Sequence, residues 1–243
     1  MKKKISFLLS ALFLFLCLNR LYPLSYEFLK EAKTRAEIRE NLKALKNEVT
    51  LIVFTSGTKE CLYCTTAIQI VRETASLSDK IKTRFLDMKK DKKLVQPYKV
   101  DRAPAILVTD GKIQNIRFYG LPAGYEYSSL LESIKNVSSG GSGLSAKNVK
   151  KLSDIQKKVL IRVFVTPTCP YCPMAVVTAH QIGLANSLIT AEMIEANEFM
   201  DLSRKNNVSS VPKTVIINEK GKKIEFIGAY PEDAFVEKVL EVK

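Results

Sequence analysis

The sequence predicts an α/β chain made of two tandem units of one fold, each ordered β-α-β-α-β-β-α and preceded by an extra helix. Three observations predict it: self-similarity at a single offset of 108 residues, strand and helix patterns recurring in one order, and one Gly/Ser-rich stretch between the halves. The repeat maps Cys61 to Cys169, Cys64 to Cys172, Asp87 to Glu195, Leu94 to Leu202 and Val100 to Val208. It continues without a gap through Pro104 and Pro212, Phe118 and Phe226, Gly120 and Gly228. Chance readily supplies two Cys-x-x-Cys motifs. It is a poor source of a proline 43 residues after each first cysteine and a glycine 16 further on.

Amphipathic runs at about 26–46 and 145–156 predict the extra helices. Val49–Thr55 and Val159–Val165 are β-rich runs of strand length, the second ending at Thr166-Pro167-Thr168. Helices are expected from Cys61 and from Cys169, the latter to about Ala185. Ile81–Met88 and Leu188–Ala196 are the second strands, and short helices follow at Asp91–Tyr98 and Phe199–Asn206. Ala105–Thr109 with Ile113–Tyr119, and Thr214–Asn218 with Lys222–Ile227, read as hairpins turned at Asp110-Gly111 and Glu219-Lys220-Gly221. Tyr125–Val137 and Pro231–Val242 are closing helices. The stretch Ser138-Ser139-Gly140-Gly141-Ser142-Gly143 marks the joint, giving units 25–139 and 144–243.

Composition bounds the class. At 243 residues and 46% hydrophobic content the chain is globular, and each half can bury a core without disulfide staples. The net charge of +13 reads as a solvated Lys/Glu-rich surface, and no basic stretch is interleaved with aromatics as nucleic-acid binding would need. Residues 1–24 read as a signal peptide or an N-terminal membrane anchor. Met1-Lys2-Lys3-Lys4 is a positive start, and Ile5–Leu18 is an apolar run whose helix would span about 21 Å, against a hydrocarbon core of roughly 30 Å. Cys17 follows Leu16 rather than a small residue, which argues against a lipoprotein site. The mature part is therefore expected in the periplasm or cell envelope, possible membrane anchoring included.

Beyond Cys17 the cysteines fall into two close pairs, leaving none for a structural framework. A thiol attacks a disulfide as its thiolate, and a helix N-terminus stabilises that anion through unpaired N–H groups and the dipole. Two intervening residues let the second sulfur reach the first. Cys169 and Cys61 are assigned as nucleophiles, Cys172 and Cys64 as resolving cysteines. Pro170 is read as stiffening the start of its helix. Tyr171 and Tyr63 match in the repeat; packing beside the sulfurs and plain surface packing are both open to them. Pro104 and Pro212 follow Ala103 and Val211 directly and precede apolar strands, where a proline calls for a bend or a cis bond. A cis loop facing the sulfurs would present backbone to an extended substrate and keep metals off the thiolates, so Ala103, Pro104, Val211 and Pro212 are assigned to substrate binding, with Tyr171 and Tyr63 as further candidates beside them. Asp87 and Glu195 read as structural or solvated. His180 lies 11 residues after Cys169, about 16 Å along a helix, too far to exchange protons with it. Element order and motif placement together are those of a thioredoxin fold, and no cofactor or metal is assigned.

With Cys-Pro-Tyr-Cys, Cys-Leu-Tyr-Cys and the repeat established, the chain resembles the protein disulfide oxidoreductases of thermophilic archaea and bacteria, a glutaredoxin-like family of double thioredoxin folds. The resemblance spans about Tyr26 to Val242 and is most specific at Phe164–Pro173 and Gly120–Glu126. It implies oxidation, reduction and isomerisation of disulfides in protein substrates, at two unequal sites, with Cys169/Cys172 the stronger. Such proteins are mostly intracellular, so an exported member would need a membrane or exported redox partner. Thioredoxin carries a buried acid six residues before its first active cysteine; Thr55 and Val163 stand there in this chain, so proton handling must use another group or water. Three other readings compete. A dedicated exported reductase for one client, such as a cytochrome-maturation apoprotein, would be told apart by reduction potential. A four-thiolate zinc site would draw its ligands from both units and show stoichiometric zinc. A non-catalytic chaperone would keep full client binding and activity after Cys169→Ser and Cys61→Ser.

Overall fold

A computed structural model of the chain describes residues 28–57 and 61–243; the leader, 1–24, lies outside the described residues. Unit 1 contains α1 (Ala32–Leu42), β1 (Val49–Thr55), α2 (Cys64–Ala75), β2 (Ile81–Asp87), α3 (Lys92–Val95), β3 (Ala105–Thr109), β4 (Ile116–Tyr119) and α4 (Tyr127–Ser139). Unit 2 repeats this as α5 (Ala146–Leu152), β5 (Val159–Val165), α6 (Cys172–Ala185), β6 (Ile189–Glu195), α7 (Met200–Lys205), β7 (Lys213–Asn218), β8 (Lys223–Ile227) and α8 (Glu232–Leu240). Short 3-10 turns at Gln96–Tyr98 and Gly124–Glu126 extend α3 and lead into α4.

In each unit the first strand runs parallel to the second and antiparallel to the third, which pairs antiparallel with the fourth. The two sheets are one. β4 lies parallel to β6, Ile116 opposite Ala191 and Tyr119 opposite Ile194, giving an eight-stranded sheet ordered β2-β1-β3-β4-β6-β5-β7-β8. β1 and β5 are central to their halves and covered on both faces, which is why they read as near-continuous apolar runs. On one face the long helices bury Ile70, Ile134, Val176 and Val239 against Val53 and Val163. On the other, α3 and α7 cover a smaller core that includes Phe54, Tyr119, Phe164 and Phe199.

Several boundaries differ from the sequence reading, each for a local reason. The helices begin at Cys64 and Cys172, not at Cys61 and Cys169; the first cysteine of each motif occupies the preceding turn, with the Cys64 and Cys172 amides donating to the Cys61 and Cys169 carbonyls at 3.4 Å. Pro170 therefore lies in that turn, and Pro173 is the proline within the first turn of the helix. Strand β4 starts at Ile116, because the Asp110 carboxylate takes the Lys112 and Ile113 amides at 2.9 Å and withdraws them from the ladder. Helix α4 continues through Ser138 and Ser139, which composition alone assigns to the linker. Ser138 is buried, its Oγ donating to the Asn47 carbonyl at 2.7 Å, and the helix ends on Gly140 at φ +73°.

Candidate active site

Both motifs stand at the same end of the sheet, where β1 and β5 finish. Cys61 and Cys64 are joined in a disulfide with Cα atoms 5.4 Å apart, and Cys169 and Cys172 in another at 5.5 Å, within the span such bonds require. Each pair closes within its own unit. Neither α2 nor α6 has a side-chain cap or an acidic residue in its first turn. Among the described residues, the positive dipole end of each helix is thus left to the sulfurs, with no carboxylate of the first turn competing for it. Cys172 is fully covered while Cys169 retains 8% exposure, so an incoming group meets Cys169 first. Tyr171 is exposed and Tyr63 partly so, each on the outer surface of its motif.

The peptide bonds Ala103–Pro104 and Val211–Pro212 are both cis. Phe54 pairs with Ala105 and Phe164 with Lys213, which sets each proline level with the last residue of β1 or β5, where the chain turns toward its cysteines. The repeated glycines, left without a role by sequence, complete this corner. Gly120 and Gly228, at φ +91° and +99°, donate their amides to the Pro104 and Pro212 carbonyls at 3.0 and 2.8 Å. In unit 2 the buried Lys213 adds a further tie, donating to the Asn206 and Asn207 carbonyls and pairing with Glu225.

Sequence reasoning missed Glu126. It lies on the 3-10 turn leading into α4, and this turn belongs to unit 1 but packs against α6 of unit 2. The Tyr125 amide donates to the Pro167 carbonyl at 3.0 Å, and Gly124, at φ +59°, sits so close to Pro167 that a Cβ there would overlap that carbonyl. Glu126 is 1% exposed; Oε2 accepts the Ser129 hydroxyl at 2.7 Å and Oε1 has no partner. Burial pushes its carboxyl up to about 7. The one signal available was a break in the repeat, since residue 234, at the same offset, is alanine. His180 is a helix residue as expected, yet a buried one: Nδ1 meets the Ser133 hydroxyl of α4 at 2.9 Å, and burial lowers it to about 4. Asp87 accepts the Lys89 and Lys90 amides and serves its turn. Glu195 is buried instead, its Cβ against Gly120 at the joint between the units.

Two thioredoxin folds in one sheet, each carrying a disulfide-forming Cys-x-x-Cys at a helix start beside a cis-proline, define a thioredoxin-fold disulfide oxidoreductase. Residues 159–241 match the thioredoxin domain family. A protein disulfide oxidoreductase from Aeropyrum pernix K1 superposes with a TM-score of 0.77 at 30% identity, over 86% of this chain and 91% of that one. The chain belongs to the protein disulfide oxidoreductase family. A mutant of the alkylhydroperoxide reductase AhpF of Enterococcus faecalis V583 is also similar, with a TM-score of 0.77 and 26% identity over 86% of this chain and 98% of that one. A Bacillus subtilis NADH dehydrogenase is 24% identical over 77% of this chain and 34% of its own length. The chain spans about a third of the length of the first such curated relatives.

Proposed function

We propose that the chain exchanges thiols and disulfides with polypeptide substrates through both motifs, with Cys169 and Cys61 attacking and Cys172 and Cys64 resolving. In the reducing direction the Cys169 thiolate attacks one sulfur of a substrate disulfide, forming a mixed disulfide and releasing the other sulfur as a thiolate. Cys172 then loses its proton and attacks the Cys169 sulfur. The substrate leaves as a dithiol, two electrons richer, and the Cys169–Cys172 disulfide remains; oxidation of a substrate dithiol is the same path reversed. Ala103-Pro104 and Val211-Pro212 dock the substrate backbone, and Tyr171 and Tyr63 flank it. Glu126, a buried carboxyl on the turn packed against α6, is the group we assign to take the proton that Cys172 gives up, the task for which Thr55 and Val163 provide no acid. The observation that carries this reading is the pairing of an uncapped helix start with a cis-proline level with the end of the strand that leads to it, repeated in both units.

The leader supports export to the periplasm or cell envelope, cleaved as a signal peptide or kept as an anchor, with a contribution there to thiol redox balance. The curated relatives carry these folds on a fraction of longer chains, one of them named NADH dehydrogenase. By that analogy electrons reach this chain from a separate donor, which export would place in or beyond the membrane. Reduction of insulin disulfides tests the central claim. Cys169→Ser should abolish turnover at the second motif and Cys61→Ser at the first. Undiminished insulin reduction with both cysteines replaced would refute it.

A further inference from the structure

We infer that unit 1 forms one wall of the docking surface at the second motif, with Tyr125 as a specificity-determining residue for the polypeptide chain bound there. This rests on the function proposed above and adds a residue from the other half of the molecule. Tyr125 is tied to the loop that carries Cys169 by the bond from its amide to the Pro167 carbonyl. Pro167 precedes Cys169 by two residues, at most ~7 Å of chain. Gly124 allows this approach because it brings no Cβ against that carbonyl. The Tyr125 backbone is thus fixed, yet its side chain is not consumed by the joint: the residue is 56% exposed, beside a motif that also exposes Tyr171 at 69% and Met174 at 52%. Tyr171 and Met174 beside the cysteines, and Tyr125 on the turn bonded to their loop, are three large apolar side chains that folding leaves uncovered and that an apolar partner would cover. An extended segment of an incompletely folded polypeptide, with apolar side chains on either side of its cysteine, fits that chemistry.

Among the described residues the first motif has no such wall, and the strand order shows why. The loop after β4 lies beside unit 2 because β4 pairs with β6, whereas the loop after β8 lies at the free edge of the sheet. At the repeat offset from Tyr125 stands Asp233, whose carboxylate accepts the Asn148 side chain at 2.7 Å within its own unit. The two sites therefore differ in what surrounds them, not only in the residues between their cysteines.

The test isolates each site in the full chain, the second in a Cys61→Ala/Cys64→Ala background and the first in Cys169→Ala/Cys172→Ala. Tyr125→Ala and Tyr125→Phe are compared with Tyr125 using insulin and a small aromatic disulfide, and the readout is the ratio of the two kcat/KM values. At the second site the ratio should fall about 5- to 10-fold with alanine, chiefly through the KM for insulin, and recover with phenylalanine. At the first site it should not move. An unchanged ratio at the second site, or an equal fall at both, would overturn the inference while leaving the exchange chemistry intact. Failure of the parent to exchange with either disulfide would instead remove the proposed function and this inference with it.

Discussion

Burial holds the Glu126 carboxyl protonated up to about pH 7, so its ionisation falls where thiol exchange operates. If it accepts the Cys172 proton, turnover at the isolated second site should climb through that pH, and Glu126→Gln should flatten the profile and lower kcat by about tenfold or more. Turnover at the isolated first site should stay unchanged; a Gln variant with the parental profile at the second site would exclude Glu126. Lys213 makes a second residue-scale case. Its amine is buried between the Asn206 and Asn207 carbonyls and Glu225, and Glu225 has Lys223 as another partner at 2.7 Å. Lys213→Met should cost about 2 kcal/mol in urea titrations, mostly by stranding the carbonyls beside the cis-proline corner. Cysteines and prolines were legible in the sequence because their chemistry is local: a sulfur three residues from its partner, a ring that forbids an amide. Glu126 and Lys213 were not, because each acquires its role only through burial among residues remote in sequence.

At the scale of elements, α6 joins the halves. Its buried residues Ala175, Val176, Ala179, His180, Ile182 and Gly183 share one broad face, which packs on the sheet and on α4 of unit 1. Gly183 lies against the seam of the sheet, where an added Cβ would meet the Ile116 side chain at 3.1 Å and that of Ala191 at 3.3 Å. Ile116 is in β4 and Ala191 in β6. Gly183→Leu should therefore wedge the two units apart and destabilise the whole chain by about 1–3 kcal/mol, with β4 and β6 amides losing hydrogen-exchange protection first. Loss of protection confined to unit 2 would contradict a shared seam. Most strands and helices were legible from periodicity and the repeat, since each half satisfies its own pattern. The β4–β6 pairing was not: a four-residue strand meeting a partner 75 residues away leaves no local trace. The helix starts were misplaced for a different reason, as a Cys-x-x-Cys turn and a first helical turn have the same residue spacing.

For the molecule as a whole, the buried Glu126 and His180 and the half-buried Glu198 set an unusual dependence of stability on pH. Burial raises Glu126 and Glu198 from 4.5 to about 7, so the fold holds them neutral while the unfolded chain ionises them. Stability from each is complete below pH 4.5 and is lost as pH rises toward 7; for Glu126 the loss is about 3 kcal/mol. Burial lowers His180 from 6.5 to about 4, which works the other way: its contribution is complete above pH 6.5 and lost as pH falls toward 4. Between 4.5 and 6.5 the carboxyls and the imidazole oppose each other, two against one. Glu195, also raised by burial, adds to the carboxyl side. Below 4.5 the carboxylates of Glu232, held ionised by Asn148, and Asp87, held by the Lys89 amide, lose their partners on protonation. Stability should thus peak near about pH 4.5–5 and decline by about 1 kcal/mol per pH unit toward neutrality. Urea midpoints measured from pH 4 to 8 would show this slope, and Glu126→Gln should make it shallower by gaining on the parent as pH rises. A midpoint that is level or climbs between pH 5 and 7 would mean that these carboxyls ionise freely, and that the joint beside the second motif is open to water.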